Sequence, residues 1–550
     1  MTPGTSASNQ ELTARTLLAQ ATAALHRGDM ARAEFICKAI LAAQPQHSDA
    51  LHLLGVIAHR RGRNQEAFRH IDQAIDLGLT SAEAYGNRGT VLCALSRFAE
   101  ALASFDKALT IGPATAQLHS NRGLALYEQG RFDDALISYR EALSLRPDFA
   151  AAHAGAAAVL CALGRHHEAI RHEAHGLALR NDWNSRLDYL VSQQRYADAG
   201  ALLEQAMPEA LHRSGEAVAP RRATAVLGPI RRVVVDCGHH LMLPAEADDL
   251  AEACGLPVRC VDLSVTAPSD YAPAADTLVI YSHGIRMAKA SPLRAIKRVD
   301  PNCPVVAWSF ANHMAYLANA LLATAADLTF PAHVTAVAYL DRWSPGRVGP
   351  VVPLALFQWS RPMLVQLNRD CRDEARSDVL SGHFSLYAVA ERRNRLIADA
   401  IAAWPDADLS LRRGWRYHER SALDRFLSWR RRKTSLVLPV CGDLSMRFFD
   451  ALGAGQVPIV PRDIPGFDQV VPPEDQASLP IVRLESYDLD ALRAAHAQAI
   501  AAFDRGGEVA AEVRHQYVLR HHMLAHRIRD IVAHVGGAVA VPPVTRPAPA

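Results

Sequence analysis

What this chain lacks narrows it before anything it contains. Its 550 residues hold nine cysteines, at 37, 93, 161, 237, 254, 260, 303, 371 and 441, and no two stand in the C-x-x-C spacing of a zinc or redox motif. The odd count excludes a fully paired disulfide framework and leaves small hydrophobes in a reducing compartment. Charge of one sign is missing too. Fifty-nine basic against 57 acidic side chains leave +2, which gives no overall electrostatic footprint for nucleic acid. The most apolar stretch, Ala315 to Ala332, is broken by Asn319 and Asp327. It falls short of the roughly 20 apolar residues a membrane span needs and reads as a buried helix running into a strand. The opening MTPGTSASNQ has no basic patch followed by an apolar core, so no secretory leader and a cytoplasmic location are expected.

What remains is ordinary globular material, 49% hydrophobic and 21% charged, in a chain long enough for roughly three or four domains. The first third is a repeat. Alanine recurs at Ala33, Ala67, Ala101, Ala135 and Ala169, each step 34 residues, and five residues before each stand Gly28, Gly62, Ser96, Gly130 and Gly164. Phe105 and Ala108 in one unit match Tyr139 and Ala142 in the next, with Pro113 and Pro147 closing the units. A small residue at a turn, an alanine where two helices meet and a proline stop describe a helix-turn-helix unit. The pattern resembles the tetratricopeptide repeat over about residues 12 to 180. A degenerate sixth unit around Ala199, spaced 30 rather than 34, extends the expected array to residue 210. These residues are read as packing, and His47, His70, His119 and His153 as surface or packing histidines rather than metal ligands. The resemblance implies a concave face that binds a peptide or protein. Residues 211–228, rich in small, Gly and Pro residues, are expected to be a linker.

From residue 229 the pattern changes to short β-branched runs alternating with amphipathic stretches. Strands are predicted at 232–236, 258–262, 277–281, 304–308 and 328–331, with helices near 245–254, 312–325 and 333–341. A second series predicts strands at 384–387, 409–412, 435–438 and 457–460, with helices at 391–403, 420–430 and 445–454. A long helical stretch over 487–534 and a disordered tail, 536–550, end the chain. The expected fold is therefore an α-solenoid followed by α/β, with two Rossmann-like domains at 229–365 and 366–535. Ligands of such sheets gather at the carboxyl ends of the strands.

The chemistry is expected in Ser435-LVLPVCGDLSMRFFDALGAGQVPIV-Pro461. A buried strand ends in a loop, Gly442-Asp443-Leu-Ser445, and Ser445 is placed to cap a new helix whose first N–H groups suit a diphosphate. Arg447 adds a charged contact. Gly453 and Gly455 end the helix before the next strand. The stretch Asp450-Ala-Leu-Gly-Ala-Gly455-Gln-Val-Pro458 resembles the signature of GT-B glycosyltransferases, and Ser445-Met-Arg447 is similar to the start of that signature in exostosin-like and bacterial group-1-type members. The resemblance implies two Rossmann-like domains in the GT-B arrangement, with Asp450 on the ribose of a nucleotide sugar and Ser445 and Arg447 on its phosphates. Retaining members carry a second acid eight residues before the first. Gly442 stands there, with Asp443 one residue off register, which leaves the anomeric outcome open and leans away from retention.

Other candidates surround this loop. Arg430-Arg-Arg-Lys433 precedes the strand, and Lys433 could meet the leaving diphosphate or simply end a helix. Asp236-Cys-Gly-His239-His240 follows the first strand, so either histidine could act as general base. Trp308-Ser-Phe-Ala-Asn-His313 adds a third histidine, though Ala311 stands where the resemblance implies an acid. Asp406-Ala-Asp408 has D-x-D spacing but precedes a strand, so a turn and no metal are expected. No G-x-G-x-x-G follows the strands at 232–236 or 435–438, which argues against a dinucleotide oxidoreductase. The expected function is transfer of a sugar from a UDP- or GDP-linked donor, with no other cofactor, to a protein presented by the repeat arm. The alternative is a scaffold whose transferase domain has become a binding module.

Overall fold

The computed structural model describes the chain apart from residues 1–2, 181, 193–194, 196–197, 200, 204, 208–228, 238–246, 284–290, 310–315, 334–335, 338–339, 342–343, 345, 354–358, 388, 414–420, 441–443 and 537–550. The expected linker, and the expected tail apart from Gly536, thus lie outside the described residues. The chain divides into two compact units, Met1–Leu179 and Arg180–Ala550.

The first unit is ten helices in five hairpins: α1 (Pro3–His26), α2 (Met30–Ala43), α3 (Ser48–Arg60), α4 (Asn64–Asp76), α5 (Ala82–Ala94), α6 (Phe98–Ile111), α7 (Ala116–Glu128), α8 (Phe132–Leu145), α9 (Ala150–Ala162) and α10 (His166–Ala178). The 34-residue period has a direct physical cause. Gly28, Gly62, Gly130 and Gly164 each turn the chain at a φ of 82°, 77°, 73° and 74°. The amide after each turn then reaches back five residues, as in Arg63 N–H to Ala58 O (2.9 Å) and Arg131 N–H to Leu126 O (2.9 Å), satisfying carbonyls at the helix end. Arg63, Arg97, Arg131 and Arg165 pair with the acid three residues on. The five periodic alanines are completely buried. Between hairpins, Arg88 joins Asp72 (2.8 Å) to Ser104 (2.9 Å), and Arg122 repeats the device with Asp106 (2.7 Å) and Ser138 (2.6 Å).

Ser96 occupies the same turn at φ 59°, a conformation whose Cβ crowds the backbone. Ser96→Gly is therefore expected to stabilise the array by about 0.5–1 kcal/mol, the relief of strain exceeding the added entropy of the unfolded chain. Urea unfolding measures it; an unchanged or lower midpoint would refute the strain.

The sixth hairpin has the local geometry of the repeat but a different home. Arg195 N–H reaches Leu190 O (2.9 Å), Arg195 pairs with Asp198 (2.7 Å) and Ala199 is buried, as in the preceding units. Yet α11 (Trp183–Ser192) and the residues after it belong to the second unit. Leu187, Leu202, Leu203 and Met207 pack on Ala320, Ala323, Ala336 and Leu340. The division therefore falls at Leu179, not at 210, because these apolar faces are covered by the α/β unit.

That unit contains two five-stranded parallel sheets. The first has β1 (Arg232–Asp236), β2 (Val258–Val261), β3 (Thr277–His283), β4 (Val305–Ser309) and β5 (Leu328–Pro331). Its helices are α12 (Ala247–Cys254), α13 (Ser291–Val299) and α14 (Tyr316–Ala325), followed by α15 (Arg361–Asp370). The second has β6 (Ser381–Ser385), α16 (Glu391–Ala403), β7 (Asp408–Arg412), α17 (Ala422–Arg430), β8 (Thr434–Leu436), α18 (Arg447–Gly453), β9 (Val457–Pro461), α19 (Phe467–Val470), α20 (Pro473–Gln476) and β10 (Val482–Leu484). Two helices close it, α21 (Leu489–His521) and α22 (Leu524–Val535). The strand orders are β2-β1-β3-β4-β5 and β7-β6-β8-β9-β10, the same doubly wound order twice. β4 and β9 are buried at every residue, as strands covered on both faces must be. One core runs from Val233, Trp308 and Phe330 of the first sheet to Val460 of the second and Phe448 and Phe449 of α18, and α22 packs on α12.

Three expectations need correction. The boundary at 365/366 cuts through α15, whose Ser360 cap and Pro362 in the first turn mark its start. The second sheet starts at Ser381, three residues before the predicted strand, and gains β10. The long helical stretch is not continuous: Gly507 (φ 51°, ψ −148°) kinks α21, and the chain breaks again between His522 and Met523.

Candidate functional site

In each sheet the winding reverses between the first and third strands, and the carboxyl ends of that pair form the natural opening for a ligand. In the first sheet the pair is β1 and β3; in the second it is β6 and β8. The loops after β1 and β8 are the two that the sequence nominated. His239, His240, His313, Gly442 and Asp443 themselves lie outside the described residues.

Between the sheets is a small open cleft, lined by His333 and Pro353 from the first half and by Leu444, Phe449, Gly466 and Gln469 from the second. His333 follows the carboxyl end of β5, Leu444 lies beyond β8, and Gly466 and Gln469 follow β9. The start of the 444–450 segment thus faces the cleft. Val440, which leads into the nominated loop, packs against the cluster around α11 and α14.

The segment is built differently from its expected form. Helix α18 is only seven residues long, and Met446 stands at its cap position without a side-chain bond. Ser445 Oγ accepts the N–H of Arg447 at 3.3 Å, so the serine uses one of the first helical donors itself. So short a helix has little dipole, and half-buried Arg447 is the main cationic group it offers. Asp450 is completely buried, so no ribose reaches it while the surrounding side chains hold their places. The end of the helix is structural. Gly455 turns at φ 77°, and the carbonyls of Gly453, Ala454 and Gly455 accept from His515 Nδ1 (2.7 Å), Arg376 Nη2 (2.8 Å) and Arg514 Nη2 (2.7 Å).

Lys433 is displaced from its expected role. It precedes β8 and therefore sits at the amino end of the sheet, where it pairs with Asp378 (2.6 Å) and Asp504 (2.7 Å). Both carboxylates push its amine upward from its ordinary range. Arg430, Arg431 and Arg432 are likewise held, by Glu508, Glu374 and Asp408. A parallel strand separates its two ends by its whole length, so residues just before β8 cannot join a site just after it. Asp408 of the D-x-D pair is at this same edge. Among the described residues no three metal-binding side chains converge.

Two residues went unnoticed in the sequence. His333 is buried in the cleft wall, two positions beyond β5, and its signal was its place just past the carboxyl end of a predicted strand, where the helix predicted at 333–341 was to begin. Arg393, buried on α16, donates to Leu438 O (3.1 Å) and Ser385 O (3.0 Å) and lies over Phe384 (5.1 Å). It ties the carboxyl ends of β6 and β8 together and keeps a positive charge beneath the switch point.

Tetratricopeptide-repeat family profiles match residues 18–78, 80–148 and 126–193. The chain therefore carries tetratricopeptide repeats over these residues. No curated protein matches the chain. Among solved structures it is similar to MamA from Desulfovibrio magneticus, at 20% identity over 30% of this chain and 94% of that one, with a TM-score of 0.28. It is also similar to PilW, a type IV pilus biogenesis factor, at 22% identity over 36% and 93%, TM-score 0.30. YrrB, described as a tetratricopeptide-repeat protein with an unusual peptide-binding site, is 18% identical over 30% and 86%, TM-score 0.27. Among the described residues no helix is long and apolar enough to cross a membrane.

Proposed function

We propose that the second unit is a glycosyltransferase in the GT-B arrangement, taking a UDP- or GDP-linked sugar, and that the repeats bind the protein acceptor. What supports the reading is one coincidence of topology and sequence. The signature-like segment comes after β8, the switch-point strand of the second sheet, and its Leu444 and Phe449 line the cleft between two sheets of identical winding.

In this reading the acceptor hydroxyl oxygen attacks the anomeric carbon, the bond from that carbon to the diphosphate breaks, and His333 takes the hydroxyl proton. Arg447 offsets charge developing on the leaving diphosphate, and no metal is required for that step. Burial of Asp450 favours a second reading, a scaffold whose α/β unit binds without catalysis.

Calorimetry with UDP and GDP separates the two, followed by a screen of nucleotide sugars for transfer or hydrolysis. One nucleotide should bind, and Arg447→Ala should weaken it about tenfold through loss of a charge-assisted contact. Absence of binding by both nucleotides leaves the scaffold.

A further inference from the structure

The last full hairpin of the repeat array brings two imidazoles together. His153 on α9 and His172 on α10 face each other with their Nδ1 atoms 3.0 Å apart. On its other side, His153 Nε2 lies 2.9 Å from the carbonyl oxygen of Pro147. A carbonyl only accepts, so the proton of neutral His153 sits on Nε2 and its Nδ1 presents a lone pair to His172. Gly176 lets α10 approach α9 here: a Cβ there would stand 3.2 Å from that of His153. The ring of His175 lies 4.5 Å from that of His153, centroid to centroid.

We propose that His153 and His172 form a binding site for a borderline divalent transition-metal cation, Zn²⁺ or Cu²⁺, through their two Nδ1 atoms with water completing the shell. Two nitrogens each about 2.0–2.1 Å from one ion stand about 3 Å apart. The observed separation already has that span. His172 need only carry its proton on Nε2 instead of Nδ1, so both rings stay neutral and no acid or base is consumed. The Pro147 carbonyl is the outer partner that metal-bound histidines commonly have, fixing both tautomer and ring orientation. Both rings are half-buried, so an ion reaches them from solvent. Nearby charges are mixed: Glu168 favours a cation, whereas Arg140 and Arg171 oppose one. Binding would pin α9 to α10 and stiffen the end of the array.

The test titrates the full-length chain with CuCl₂, followed by electron paramagnetic resonance, and with ZnCl₂, followed by calorimetry. One equivalent should bind with nitrogen hyperfine structure, and either metal should raise the melting temperature. His153→Gln and His172→Gln should each weaken binding at least about tenfold, with melting in EDTA unchanged. Should either variant fail to fold, the double change Arg140→Gln and Arg171→Gln keeps both imidazoles and should tighten binding. Equal binding by wild type and the histidine variants, or no tightening in the arginine variant, overturns the site.

Discussion

Replacing Glu508 by glutamine is expected to destabilise the α/β unit by about 3 kcal/mol, with little change in the repeat array. Three arginines are buried at the amino edge of the second sheet: Arg376, Arg430 and Arg514. Glu508 accepts from Arg376 Nε (2.8 Å) and from Arg430 Nη2 (2.9 Å). Arg514 spends two donors on Gly455 O, and both Arg376 and Arg514 lie against the ring of Phe503. Burial, joined by repulsion from a neighbouring guanidinium, brings Arg376 down to about 10 and Arg514 to about 9. Burial alone would raise the Glu508 carboxyl, but Arg376 and Arg430 outweigh it and hold it low. Glutamine keeps the shape and one acceptor but leaves like charges in a poorly solvated space. The figure sits at the low end for broken buried pairs because half of the Glu508 side chain is exposed. Denaturant unfolding checks it, and adding Arg376→Met should recover part of the loss. A Glu508→Gln variant within about 0.5 kcal/mol of wild type would show that the arginines need no counter-charge.

Acid should loosen the junction between α21 and α22. His522 is buried against Phe449, ring centroids 4.8 Å apart, and its Nδ1 accepts from Arg527 Nη2 at 2.6 Å. His526 Nδ1 accepts the N–H of Met523 at 3.2 Å and so caps α22. Either bond requires a bare Nδ1, and protonation would set N–H against N–H beside buried Arg527. Burial, then neighbouring arginines, pushes His526 down to about 4 and His522 well below its ordinary value. The unfolded chain, with ordinary histidines near 6.5, binds more protons between these values. Stability is therefore complete above about pH 6.5 and falls as pH drops toward 4. His526 alone accounts for roughly 2 kcal/mol once solvent screening is discounted. Because α22 packs on α12, the loss should appear as early melting of the α/β unit. His526→Gln keeps a side-chain acceptor for Met523 and cannot titrate. It should flatten the pH dependence between 6.5 and 4.5, and an unaltered slope would move the effect to other histidines.

Both predictions concern residues whose importance no local pattern announced. Glu508 looks like one acid in a polar helix, and His521-His522 like a surface pair. Their partners come from segments 78 and 132 residues away for Glu508, and from the core around Phe449 for His522. The same limit applies to the site. The helix and glycine turn of 445–455 were legible because apolar periodicity and a positive φ act within one or two turns of chain, whereas the expected Ser445 cap did not form. The burial of Asp450 was not, since it depends on everything packed over α18.

By itself the sequence determined the 34-residue hairpins and the alternation of strand and helix after residue 229. Those are consequences of backbone geometry and apolar spacing, which neighbours along the chain control. Only the tertiary structure decided that the hairpin after Leu179 joins the α/β unit, that Lys433 lies at the wrong end of its strand, and that His333 enters the cleft. In a parallel sheet the two ends of a strand face different surroundings, and which side chains gather at either end is settled by how distant segments pack.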